Sequence, residues 1–134
     1  MNDPIDRLRL IRAESVGPVT YRRLISRFES VAEAIAALPE LAKAGGRAAT
    51  PQTPSRAEAE REFAALHRMG GKFIFLGTPD YPSYLAELAD APPALAILGD
   101  ATLLKSPAIG IVGARNATAN GMSCRNVPRA MMSM

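Results

Sequence analysis

The sequence is poor in the residues that thiol and metal chemistry require. Its 134 positions hold one cysteine, Cys124, and one histidine, His67. A lone cysteine excludes a disulfide framework and a cysteine-based zinc site. A lone histidine leaves metal-centred or histidine-based catalysis without its usual side chains. His67 stands beside Leu66 on a helical stretch, where surface or boundary placement fits better than chemistry. Long apolar runs are missing as well. The longest, Ala94–Leu98 and Ala108–Val112, are far too short to cross a bilayer. The amino terminus, Met-Asn-Asp-Pro-Ile-Asp-Arg, has no basic segment followed by an apolar one, so no secretory signal is expected. The cytoplasm is the default address, with no membrane association.

What is present is globular in texture: 48% hydrophobic and 22% charged residues. The length is room for one ordinary domain, or for a small helical domain followed by part of another. Net charge is +3, only mildly basic, but its distribution is uneven. Arg7, Arg9, Arg12, Arg22, Arg23 and Arg27 crowd the first helices against Asp6 and Glu14. After Asp100 there is no acid, while Lys105, Arg115, Arg125 and Arg129 remain. Such asymmetry suits a polyanionic partner. The other reading of the first cluster is a set of solvated helix faces.

Along the chain, Asp3-Pro4 opens a helix, with Ile5, Leu8 and Ile11 as its apolar face. Ser15-Val16-Gly17-Pro18 breaks it and starts a second helix, where Tyr21, Leu24, Ile25 and Phe28 form an amphipathic stripe. Ser30 with Glu33 reads as a capping box for a third helix carrying Val31, Ala34, Ile35 and Leu38. Pro39 is expected to begin a separate fourth turn. Residues 44–55 lack periodicity and are rich in turn formers, so a linker or mobile loop is expected there. Ser55 and Glu58 form another box, opening a helix that ends at Gly70-Gly71. Lys72–Leu76, Ala94–Leu98 and Ala108–Val112 then read as apolar strands separated by helical segments, a pattern that predicts a sheet covered on both faces. Tyr81 and Tyr84 lie in the Pro-bounded connector and are expected to pack against that sheet rather than to stack on bases.

The stretch that carries chemistry is Ile109-Gly-Ile-Val-Gly113-Ala114-Arg115-Asn116-Ala117-Thr118-Ala119-Asn120-Gly121. A buried strand enters a glycine turn and then a helical start, whose free N–H groups and partial positive charge suit phosphate. Arg115 can hold a phosphate through two donors or stack on a base. Asn116 and Thr118 add neutral polar contacts. The spacing is neither Gly-x-Gly-x-x-Gly nor a P-loop. A βα turn that merely needs its glycine, beside a salt-bridged arginine, is the structural alternative. Cys124 beside Arg125 reads as a bystander thiol, and Met122, Met131, Met132 and Met134 as incidental.

From Phe73 onward the chain resembles the DNA-processing protein A family (DprA, also called Smf). The resemblance rests on Tyr81-Pro82, Asp90-Ala-Pro-Pro93, Leu95–Asp100, Ile109–Asn116 and Asn120-Gly121, in that order and spacing. The first 44 residues are similar to the family's amino-terminal helical domain, with Ser15–Pro18 at its hairpin, and the whole resemblance spans about residues 5–122. It implies an α/β chain: a small SAM-like or helix-hairpin-helix-like domain (1–44), a linker (45–55), and the start of a Rossmann-like parallel sheet that binds DNA (56–134). It implies a recombination mediator of natural transformation rather than an enzyme. Its partners would be single-stranded DNA and a RecA-type recombinase, it would need no cofactor or metal, and Gly113, Ala114, Arg115, Asn116 and Thr118 would form its phosphate-binding turn. After Gly121 the sequence departs from the expected pattern, and truncation or a frameshift near residue 124 would explain this. An unfinished sheet edge at Ala108–Val112 would then favour self-association, and DNA binding would be weak. The alternative is a protein-interaction helical module with no DNA binding of its own.

Overall fold

Asp3 starts the first helix through its side chain, which accepts the Ile5 N–H at 2.9 Å. Pro4 takes the first-turn position, where no amide donor is needed. The computed structural model describes residues 3–46 and 49–107. Over these the chain forms α1 (Pro4–Arg12), α2 (Pro18–Arg27), α3 (Val31–Ala44), α4 (Arg56–Arg68), β1 (Gly71–Phe75), α5 (Ser83–Ala86) and β2 (Ala94–Leu98). A 3-10 turn at Ala101–Lys105 follows.

The first three helices share a core of Leu10, Ala13, Tyr21, Leu24, Val31, Ala34 and Leu38. Ser15, with φ of +69°, makes the left-handed step that lets α2 fold back, and Gly17-Pro18 restarts the helix. Ser30 accepts the Glu33 N–H at 3.2 Å. The Ser55–Glu58 box is reciprocal, with Ser55 N–H donating to Glu58 Oε2 at 2.8 Å. Pro39 does not begin a new turn. α3 runs through it to Ala44. Proline removes one helical donor and crowds the preceding turn, but Leu38 and Leu41 on either side both pack on the shared core and hold the helix together.

α1 is packed on two sides. It meets α2 and α3 on one side and α4 on the other. Leu10 belongs to the three-helix core, whereas the equally buried Leu8 lies outside that cluster. α4 in turn packs on β1, where Phe63 and Phe73 meet at 5.3 Å between ring centroids. Gly70, at φ +74°, ends the connection. A Cβ on Gly71 would stand 2.6 Å from Leu66 Cδ1 and 2.9 Å from the Ile97 carbonyl oxygen, so glycine is what lets α4 lie this close to the sheet.

β1 and β2 pair antiparallel, from Gly71 opposite Leu98 to Phe75 opposite Ala94. The expected parallel arrangement does not hold for these two strands. A parallel crossover must return the chain along the whole strand. α5 has four residues, a rise of about 6 Å against about 16 Å for a five-residue strand. The connector instead brings the chain back to the end of β1 that it left, and Leu76 N–H continues the ladder by donating to the Pro93 carbonyl at 2.9 Å. Burial differs between the two described strands. Ile74, Phe75 and Leu76 are buried, but β2 exposes Ala96 and Leu98. The third expected strand, Ala108–Val112, lies outside the described residues. The described architecture is a helical domain followed by a two-stranded antiparallel sheet in a mixed helix and strand setting.

Two buried tyrosines make opposite demands. Tyr81 donates its hydroxyl to the Pro92 carbonyl at 2.7 Å. Tyr21 is fully buried, and its hydroxyl has no hydrogen-bond partner among the described residues. Burial raises the Tyr21 pKa; the nearby Arg7 guanidinium pulls the other way without meeting hydrogen-bond geometry. Tyr81→Phe should therefore cost about 1 kcal/mol in urea unfolding, and Tyr21→Phe should be neutral or stabilising. Because the folded Tyr21 pKa lies above its unfolded value of about 10, the stability linked to it is complete below that pH. It is lost as pH rises toward the folded value. Tyr21→Phe should flatten this alkaline decline in unfolding curves recorded above pH 10.

Candidate nucleic-acid interface

The amino-terminal arginines are the largest cationic feature of the described residues, and four of the six are bonded to other parts of the fold. Arg7 Nη1 donates to the Leu76 carbonyl at 3.1 Å, and its guanidinium lies 5.8 Å from the Phe75 ring centroid. Arg9 reaches the Pro54 carbonyl at 3.0 Å and Asp6 at 3.1 Å. Arg12 grips Glu62 with Nη2 at 2.7 Å and Nε at 3.3 Å. Arg22 Nη2 serves two carbonyls at the end of α5, Ala86 at 2.9 Å and Leu88 at 3.1 Å. A polyanion surface and a solvated face were the two expectations for this cluster; Arg7, Arg9 and Arg22 are half-buried and fit neither, whereas Arg12 stands on an exposed face, paired with Glu62. The Leu88 carbonyl also accepts the Ala91 N–H at 3.2 Å, so Arg22 adds a second donor there, and a guanidinium offers its donors in a fixed planar fork.

Arg23 and Arg27 are the exceptions. Both are exposed, and Arg27 lies over the neighbouring Phe28 ring at 5.6 Å. The segment ahead of α4 is hydrogen-bonded to the end of α1. Glu14 N–H donates to the Gln52 carbonyl at 2.9 Å, and Gln52 N–H donates to Glu14 Oε2 at 3.1 Å. Arg56 adds a 2.7 Å pair with Asp3. The Asp3 pKa is lowered, first by the Ile5 N–H and then by Arg56.

Gly113, Ala114, Arg115, Asn116 and Thr118 all lie outside the described residues, as do Cys124 and Met122, Met131, Met132 and Met134. The described chain leads toward them through Gly99, at φ +95°, and Asp100, whose side chain accepts the Thr102 N–H at 2.9 Å. Lys72 and Lys105 each lie 3.9 Å from Asp80, so two lysines share one carboxylate beside the β1–α5 turn. These exposed pairs contribute little stability. Tyr81 packs into the core with Ile74, Leu76 and Ala91, as expected. Tyr84 does not: it is 80% exposed, because the single turn of α5 directs only Leu85 and Ala86 inward. His67 is exposed. Among the described residues no group of His, Cys, Asp or Glu side chains could hold a metal, and no helix is long and apolar enough to cross a membrane.

The described geometry defines a helical hairpin domain fastened through arginines to a strand-bearing segment. Comparison with known proteins assigns both parts. A family model described as the DprA-like N-terminal HHH domain matches residues 1–65. A second, described as DNA recombination-mediator protein A, matches residues 72–132. The chain belongs to the DNA-processing protein A family, of which it carries the amino-terminal portion. The second match continues past residue 122, where the resemblance was expected to end. A curated relative, the DNA processing protein DprA of Bacillus subtilis (strain 168), is 42% identical over 67 residues. That stretch is 49% of this chain and 23% of the relative.

Arg22→Met keeps the aliphatic stem and removes both donors to α5. Amide exchange over Leu85–Ala91 should accelerate several-fold, while helical circular dichroism stays unchanged. Unaltered exchange there would show that the two carbonyl contacts carry no stability.

Proposed function

We propose that this chain acts as a DNA recombination mediator, binding single-stranded DNA through its phosphates and delivering it to a RecA-type recombinase during natural transformation. It does so in the cytoplasm, as a binding protein rather than an enzyme and without a cofactor. Family membership across both parts of the chain carries the reading. Gly113, Ala114, Arg115, Asn116 and Thr118 form the phosphate-binding turn. Backbone N–H groups after Gly113 and the Arg115 guanidinium meet the same anion. Contacts of this kind bind single strands with little regard to sequence. The proposal includes a Rossmann-like parallel sheet built on Ala108–Val112, and a division into a helical domain (1–44), a linker (45–55) and a DNA-binding part (56–134).

A second reading, a protein-interaction module with no DNA binding of its own, draws on the internal bonding of Arg7, Arg9, Arg12 and Arg22. Fluorescence anisotropy with a labelled oligonucleotide at two salt concentrations separates the two. A mediator should bind, lose affinity as salt rises, ignore sequence and weaken in Arg115→Ala. Absence of binding would favour the interaction module. Binding unchanged by Arg115→Ala would remove the turn from the site.

A further inference from the structure

With four amino-terminal arginines bonded to other elements, the free positive charge of the first three helices lies along one stripe. α2 contains three arginines and no acid. Arg22 turns to the α5 carbonyls. Arg23 and Arg27 are exposed and, among the described residues, form no ion pair. Thr20, also exposed, precedes them at i, i+3 and i+7, so the three share one face of the helix. Ser26 lies beside them, its hydroxyl donating to the Arg23 carbonyl at 3.0 Å. Arg27 has a part in the fold, over the Phe28 ring and in the last turn of α2, but Arg23 at i,i+4 from it is a like charge that works against the helix. Glu29 is the nearest acid in the sequence and lies past the end of the stripe.

Guanidinium and hydroxyl groups at this spacing have the chemistry of a phosphate-backbone contact. Arg23 and Arg27 are separated by about 6 Å along the helix axis, so each can address a different phosphate of an extended strand. We propose that Thr20, Arg23 and Arg27 form a second backbone contact for single-stranded DNA, on the helical part and separate from the glycine–arginine turn. This rests on the reading that the chain binds single-stranded DNA. An acidic protein surface would meet the same charges, but two guanidiniums one helical turn apart with hydroxyls beside them, and Val19 as the one large exposed apolar residue of α2, favour a phosphate chain.

The test is anisotropy of the full chain with a labelled oligo-deoxythymidine across a salt series. Arg23→Ala/Arg27→Ala is compared with Arg115→Ala and with Arg12→Ala, whose partner is Glu62. Losing two phosphate contacts should weaken binding several-fold and reduce the slope of log affinity against log salt by about 1.4. Arg12→Ala should leave that slope unchanged, and circular dichroism of the double variant should match the parent. An unchanged affinity and slope in Arg23→Ala/Arg27→Ala overturns this proposal while leaving the turn in place. Loss in the double variant with none in Arg115→Ala supports the stripe and removes the turn. A parent chain that binds no oligonucleotide overturns both.

Discussion

Everything in the described fold is organised around α1. One side of this nine-residue helix buries Leu10 against α2 and α3, and its contact with α4 lies on the other. Its polar positions are equally committed: Arg7 to the end of β1, Arg9 to the segment before α4, and Arg12 to Glu62. A helix this short would be marginal alone. Packing on two sides and three outgoing guanidinium bonds make it the joint between the bundle and the sheet. Gly71 extends that joint by letting Leu66 of α4 lie directly on the strand.

Charge in this protein therefore has two duties, divided between neighbouring residues. Arg22 is drawn to backbone oxygens, while Arg23, one position on, faces solvent. The net charge alone cannot express this division. A sum counts each arginine equally, whereas the field offered to a phosphate comes from those without an internal acceptor.

Much of the local structure was legible in the sequence because it depends on neighbours only a few residues apart. The Asp3 cap, the Ser55–Glu58 box and the span of β2 follow from short-range rules. Pro39 was misread because the core contacts that carry α3 through it come from other helices. The strand direction was misread because an apolar run has no sign of its pairing; the brevity of α5 decides it. The arginine bonds link residues 45 to 69 positions apart, and no periodicity reports such partners. The glycine–arginine turn was legible as a motif, and it lies beyond residue 107, outside the described structure.

Arg7 and Arg22 address carbonyl oxygens of Leu76, Ala86 and Leu88, not the side chains of those residues. Every amino acid supplies the same oxygen. Substitutions at the exposed position 88 can accumulate without disturbing the clasp, provided the backbone path is kept, whereas the two arginines have no such latitude. The seam between the two parts of the chain can thus persist through sequence drift that erases any trace of paired change across it. Constancy on the arginine side, with variation opposite, would be its signature.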